Sequence, residues 1–353
     1  MLNTKTLRKL IIATVIFAVP VVFLIVRYNA SASSSGGIIF LPNLLNNPEQ
    51  ISKIVLQDNV QTFTLQKLNG NWVMVERDNY PVMNDKVEEL LFNLADLRIV
   101  EPKTNNRQLY AQLDLDDIKD HASQAILLIV QNSNNEDLLK LYVGKREGVR
   151  LGEEYKEHIF VRKENEDQTW LVQGMLPLSK DFRDWVEQPL IGLIESDQIR
   201  SVQIKRPQDS ILISKTQPEQ EDFALESFTP QQDMVLDLDA VNTLPFQVAE
   251  LEFKDVQPAN NVDVDWGNSI TTTLTSFPGV QVVLNIVKHE DKILAKAQAE
   301  VIASDAQEAL ALQTKVQAYN NAKQSWIYEL SPDFYKFITV SQESFQKSKE
   351  TNG

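Results

Sequence analysis

An α+β fold of antiparallel sheets with covering helices, preceded by one N-terminal transmembrane helix, is the architecture that this sequence predicts. Three observations predict it. Residues Leu10 to Val26 carry no charge; many short, alternating apolar runs are bounded by turn residues; and a strand-strand-strand-helix pattern occurs twice.

The first of these is the run LIIATVIFAVPVVFLIV, in which only Thr14 and Pro20 interrupt the aliphatic and Phe content. About 17 to 25 such residues cross a bilayer as a helix, and Pro20 kinks such a helix without excluding it. Lys5, Arg8 and Lys9 precede the run and only Arg27 follows at once. That basic bias keeps the N-terminus cytoplasmic and exports everything after Tyr28. The rival reading is a cleaved signal peptide, because Ala30-Ser31-Ala32 is an A-x-A sequence and Ser33 to Gly37 is small and polar. Against it stand the length of the apolar core and Arg27 where a short neutral region is expected. The expectation is therefore a retained anchor at 10–27 in the bacterial inner (cytoplasmic) membrane, a cytoplasmic segment 1–9, a flexible tether 28–48 and a periplasmic or otherwise extracytoplasmic remainder.

Beyond the tether, Ile51 to Leu56, Val60 to Lys67 and Asn71 to Glu76 read as three antiparallel strands, the last two joined at the hairpin signal Asn69-Gly70. Asn84 or Asp85 caps a helix in which Val87, Leu90, Leu91, Leu94 and Leu97 recur on one face. The second copy follows. Asn84 to Pro102 aligns without gaps on Leu238 to Val256, pairing Val87 with Val241, Leu90 with Leu244, Phe92 with Phe246 and Leu97 with Leu251. Ile51 to Leu56 resembles Ile199 to Ile204 at a slightly different offset. Pro245 replaces Leu91, so the second helix is expected to start late, kink or split.

Between the copies, Ala125 to Val130, Leu138 to Val143, Glu157 to Val161 and Thr169 to Val172 read as strands, and Lys180 to Glu187 as a helix ending before Pro189. Ser269 to Ser276, Val280 to Lys288 and Ile293 to Val301 form a meander. Ser304-Asp305 with Gln307 and Glu308 opens a helix to about Lys323. Ser331-Pro332 opens another carrying Phe334, Phe337, Ile338 and Phe345. The expected division is a first α+β subdomain at 49–196, a second, related one at 197–303, C-terminal helices at 304–346 and a frayed tail at 347–353.

The chemistry-bearing residues are sparse. Formal net charge is −15, and four of the 34 basic residues flank the anchor, so the exported part is more acidic still and repels nucleic acid. Cysteine is absent, which removes disulfides, thiolates and iron-sulfur ligation. No Walker loop, G-x-S-x-G or G-x-G-x-x-G occurs. His121, His158 and His289 lie far apart without a partner at metal spacing. Asp114, Asp116, Asp117 and Asp120 cluster, but an EF-hand loop from Asp114 would need Gly and Glu where Lys119 and Ala125 stand, so the segment reads as an acidic helix start. Asp263 and Asp265 alternate with Val262 and Val264 before Trp266 and would share a face if they formed a strand, as a glycosidase pair requires. The five tryptophans follow core patterning, with Trp266 the candidate glycan platform. No catalytic, cofactor-binding or metal residues are assigned, and no cofactor is expected.

Several motifs nevertheless occur in order: Asn71-Trp72-Val73 before a capped helix, Leu109-Tyr110-Ala111-Gln112-Leu113-Asp114-Leu115, Leu141-Tyr142-Val143-Gly144 and His158-Ile159-Phe160-Val161-Arg162. Trp170-Leu171-Val172, Phe182-Arg183-Asp184-Trp185 and Trp326-Ile327-Tyr328-Glu329-Leu330 complete the set. Together they resemble a bacterial family known as domain of unknown function 4340. The resemblance implies a membrane-anchored protein, often encoded beside components similar to gliding-type ABC transport systems, with no assigned activity. The functional expectation is a non-enzymatic accessory protein that binds membrane or envelope proteins. An envelope glycan- or peptide-binding module is the alternative, and a carboxylate-dependent hydrolase a third reading.

Overall fold

The computed structural model describes residues 37–151, 154–226, 228–303 and 305–348. The expected anchor and most of the tether lie outside these residues. Among the described residues no helix is long and apolar enough to cross a membrane. The chain is α+β, built of large antiparallel sheets and few helices.

The strands of the N-terminal half are β1 (Ile51–Gln57), β2 (Thr62–Leu68), β3 (Asn71–Met74), β4 (Tyr80–Pro81), β5 (Arg98–Pro102), β6 (Ile126–Asn132), β7 (Asp137–Leu151), β8 (Glu154–Lys163) and β9 (Thr169–Gln173), with helix α1 at Asn84–Ala95. The C-terminal half follows with β10 (Ile199–Lys205), β11 (Ser210–Ser214), β12 (Ala224–Leu225), β13 (Met234–Leu236), α2 (Leu238–Ala249), β14 (Asp255–Pro258), β15 (Ile270–Ser276), β16 (Val280–His289) and β17 (Lys292–Val301). Helix α3 (Ala306–Lys323), β18 (Trp326–Leu330), α4 (Pro332–Ile338) and β19 (Gln346–Ser348) end it.

Two compact units result. The first holds the described residues up to Thr62 with Glu88–Leu178; the second holds Phe63–Val87 with the described residues from Ser179 onward. In the first, the strands run β1-β6-β7-β8-β9-β5; in the second, β12-β11-β10-β15-β16-β17-β18-β14. From β10 onward the second order repeats the first strand for strand. The irregularities repeat as well. Pairing of β1 with β6 slips between Ile51 and Lys53, and pairing of β10 with β15 slips between Ile199 and Ser201, each just after a 3-10 turn. Helices α1 and α2 span the stretch that aligns without gaps.

Local chemistry accounts for the elements that form where the sequence places them. Asn69 and Gly70 take positive φ (52° and 91°) in the turn between β2 and β3, as a two-residue hairpin of matching twist requires. Val87, Leu90, Leu91, Leu94 and Leu97 are all buried. The Asp305 carboxylate accepts from the Gln307 and Glu308 amides, and the Ser331 hydroxyl accepts from the Phe334 amide, capping α3 and α4.

Several expectations are corrected. The helix expected at Lys180 to Glu187 is one 3-10 turn, Phe182–Trp185. There Asp181 accepts from the Arg183 amide and the Trp185 indole donates to the Ser179 carbonyl, so side chains take over the role of helical bonds. Helix α2 neither starts late nor splits at Pro245, a buried residue that is held inside a continuous helix. Trp326–Leu330, left unassigned between the two expected C-terminal helices, is strand β18 between β17 and β14. Phe345 lies beyond α4 in a 3-10 turn, and Gln346–Ser348, expected to fray, pairs with Met234–Leu236.

Candidate functional site

In the first unit, three separated motifs meet at one side chain. Arg162 on β8 stands opposite Tyr142 on β7, and its Cζ lies 4.2 Å from the Tyr142 ring centre and 4.8 Å from that of Tyr110. Tyr110 comes from the 3-10 turn Arg107–Leu113, whose start is capped by the Asn106 side chain. Arg162 is 8% exposed, and its guanidinium donates to the carbonyls of Leu115 (3.4 Å) and Glu164 (3.3 Å). Burial raises the pKa of both tyrosines, against the opposing effect of Arg162. Gly144 is needed beside them, because a Cβ there would stand 2.2 Å from the Leu113 carbonyl oxygen. With Leu115, Ile118, Leu127, Phe160 and Leu171 around it, this node clamps the 107–118 segment onto the sheet. A guanidinium held between two aromatic faces and two carbonyls packs the segment against the sheet.

In the second unit, the last turn of α3 buries a lysine. Val316, Tyr319 and Lys323 recur at helical spacing on the packed face of α3, and Lys323 is 5% exposed. Its Nζ lies 5.8 Å from the ring centres of Phe253 and Tyr328. These belong to an aromatic cluster in which Tyr80 contacts Trp326 (4.8 Å), Phe253 (6.1 Å) and Tyr328 (6.4 Å). Burial lowers the Lys323 pKa while the Glu187 carboxylate opposes the shift. Burial also pushes Tyr80 up to about 12. Lys323 lines a cavity of about 210 Å³ with Tyr80, Val82, Met83, Glu187 and Ala322. A periodicity reading of α3 misses this residue, since lysine at the end of a helix ordinarily faces solvent near the terminal carbonyls.

A broader groove of about 580 Å³ lies in the same unit, lined by Arg183, Glu250, Lys254, Asp333, Phe334 and Phe337 among others. Large apolar side chains also stand on helix surfaces: Phe92 on α1 is 66% exposed, Phe246 at the equivalent place on α2 is 40% exposed, and Leu310 on α3 is 70% exposed.

The residues singled out in the sequence do not converge. His121 sits in a turn where its carbonyl accepts from the Asn59 amide group. His158 lies on β8 opposite Glu147 and Gln173, its pKa lowered by partial burial. His289 ends β16 opposite Lys292. Among the described residues no group of three His, Asp or Glu side chains is placed to hold a metal. The segment from Asp114 is not a helix start but a chain of turns. Asp114 takes a positive φ of 56°, Asp117 accepts from the Lys119 amide and Asp120 from the Ala122 amide. Burial raises the pKa of Asp116, with the Asp120 and Asp114 charges adding to it. Residues 262–266 form a loop, with Val264 buried and Asp263 and Asp265 exposed. Asp265 accepts from the Gly267 amide, and the Trp266 ring faces Lys296 Nζ at 4.5 Å.

Residues 72–265, more than half of the chain, match the family described as Domain of unknown function (DUF4340). The chain belongs to the DUF4340 family. No curated protein and no solved structure matches it. For this DUF4340 protein the ordered motifs acquire a physical meaning. Tyr110, Tyr142, Gly144 and Arg162 build the clamp just described, Trp72 and Trp185 are buried, and the Trp326–Leu330 motif beyond the matched region is strand β18.

Proposed function

We propose that this DUF4340 protein is a membrane-anchored, extracytoplasmic accessory protein that acts by binding other membrane or envelope proteins, without catalysis of its own. The uncharged run Leu10 to Val26 and its basic N-terminal flank support the anchor and the orientation, with the N-terminus cytoplasmic and the two units periplasmic. The repeated strand order and the repeated slip after Ile51 and Ile199 support an internal duplication. Association with an ABC-type or gliding-like transport system is the partner class that the family resemblance suggests.

One observation carries the interaction reading. Phe92 and Phe246 are equivalent positions on equivalent helices, and at both an aromatic side chain is left toward solvent. Aromatic side chains bury the most area per residue at protein interfaces. The test is a crosslinking pull-down of the intact chain from membranes with a photoreactive residue in place of Phe92. Capture of a defined envelope protein, lost in Phe92→Asp, supports the reading. Failure to capture any protein, with a defined glycan bound by the same solubilised chain, overturns it.

That second outcome belongs to the alternative, an envelope glycan- or peptide-binding module, which the groove lined by Arg183, Lys254, Phe334 and Phe337 favours. Detection of residues 1–32 on the mature membrane-bound protein supports retention of the anchor, and their loss supports cleavage after Ala32.

A further inference from the structure

We propose that the cavity beside Lys323 is a binding site for a small apolar amino acid, held as a zwitterion with its carboxylate on the Lys323 ammonium and its own ammonium on Glu187. The inference is independent of the partner-binding reading above and rests on the second unit alone.

Lys323 supplies the first argument. Its side chain is 5% exposed, its Nζ has the aromatic faces of Phe253 and Tyr328 as neighbours, and no hydrogen bond or ion pair holds it among the described residues. Lys323 lines the cavity with no protein acceptor for its ammonium among the described residues, so what occupies that space must solvate the charge. A carboxylate that enters the cavity supplies the missing acceptor in low dielectric, where a charged hydrogen bond is strongest. Lowering of the Lys323 pKa by burial agrees with this geometry.

Glu187 makes the site selective. It lines the same cavity but is exposed, and it raises the Lys323 pKa by its charge without forming an ion pair with it. A plain carboxylate in this space meets repulsion from Glu187, and a plain amine meets repulsion from Lys323. A molecule carrying both charges satisfies both ends. Discrimination by such like-charge penalties is a general route to specificity.

Size and lining restrict the rest of the ligand. The cavity, about 210 Å³, is larger than the ~150 Å³ that accommodates benzene. Tyr80, Pro81, Val82, Met83 and Ala322 give it apolar walls. Alanine and valine fit that description; long or charged side chains do not.

The experiment is calorimetric titration of the intact chain in detergent with glycine, alanine and valine, and with propionate and methylamine as single-charge controls. Alanine or valine is expected to bind with a Kd at or below about 1 mM, and each control at least about tenfold more weakly. Lys323→Met abolishes amino-acid binding. Glu187→Gln, a change at an exposed position that leaves the packing intact, weakens alanine about tenfold and narrows its advantage over propionate. Circular dichroism of both variants checks that the fold persists. Absence of amino-acid binding at about 10 mM, equal binding of propionate, or undiminished binding to the folded Lys323→Met variant each overturns the proposal.

Discussion

Arg162 stacks on Tyr142 across a strand pair, with its guanidinium carbon 4.2 Å from the ring centre. The contact joins the motifs that carry Tyr142 and Arg162 to a third, whose Tyr110 reaches the same guanidinium from a 3-10 turn. Residues from three of the ordered motifs here hold a loop against a sheet.

Truncating the stack therefore affects stability first. Arg162→Ala leaves a void between two rings and two carbonyls without their donor, and is expected to cost about 2–4 kcal/mol in urea unfolding. Arg162→Lys recovers less than half of that, because an ammonium lacks the planar face and the second donor. Equal stability of Arg162→Ala and wild type would contradict the assignment.

Gly144→Ala is expected to be worse than its single methyl suggests. The new Cβ would stand 2.2 Å from the Leu113 carbonyl and 2.7 Å from that of Asp114, both backbone atoms that cannot rotate away. A loss of about 3 kcal/mol or more is expected, measured by denaturant unfolding and accompanied by faster amide exchange in residues 107–118.

The outer half of β17 poses a different problem. On β17, strand β18 pairs with Ile293 to Ala295, and among the described residues no strand pairs with the rest of β17 on that side. Asn320 of α3 covers the gap: its amide donates to the Ala299 carbonyl and accepts from the Ala299 amide, each at 2.8 Å. Asn320→Leu is expected to destabilise by about 1–3 kcal/mol and to accelerate exchange of the Ala299 amide specifically. An unchanged Ala299 exchange rate would rule out the role.

Lys323 links stability to pH. Its folded pKa lies below the ordinary 10.5, chiefly through burial. Between the folded value and 10.5 the unfolded chain binds more protons, so the Lys323 contribution rises with pH across that window, and below it the full penalty applies. Without added ligand, Lys323→Met is expected to be more stable than wild type at pH 7 by about 1–3 kcal/mol. The difference shrinks as pH approaches 10, as thermal unfolding at several pH values would show. A gap that does not vary with pH would remove the burial argument.

Much of the fold was legible because its determinants are local. Asn69-Gly70, the apolar stripe from Val87 to Leu97, the Asp305 and Ser331 caps and the strands of the meander β15-β16-β17 depend on neighbours within a few residues. The likeness of the two helices was legible for the same reason, since both carry the same stripe: Val87 and Val241, Leu90 and Leu244 are all buried.

Long-range pairing was not legible. Trp326–Leu330 is a strand because Ile293 to Ala295 and Asp255 to Pro258 flank it, and Gln346–Ser348 is one because Met234–Leu236 lies opposite. Phe182–Trp185 shortens to a single turn because its aromatic side chains are buried and local side-chain bonds hold it. Local period and capping by themselves determined the α+β class, the repeated helix and the uncharged N-terminal run, since those signals are carried along the chain. Only the tertiary structure decided that Arg162 lies between two tyrosines and that Lys323 faces a cavity, because burial of a charge depends on what distant segments bring to surround it.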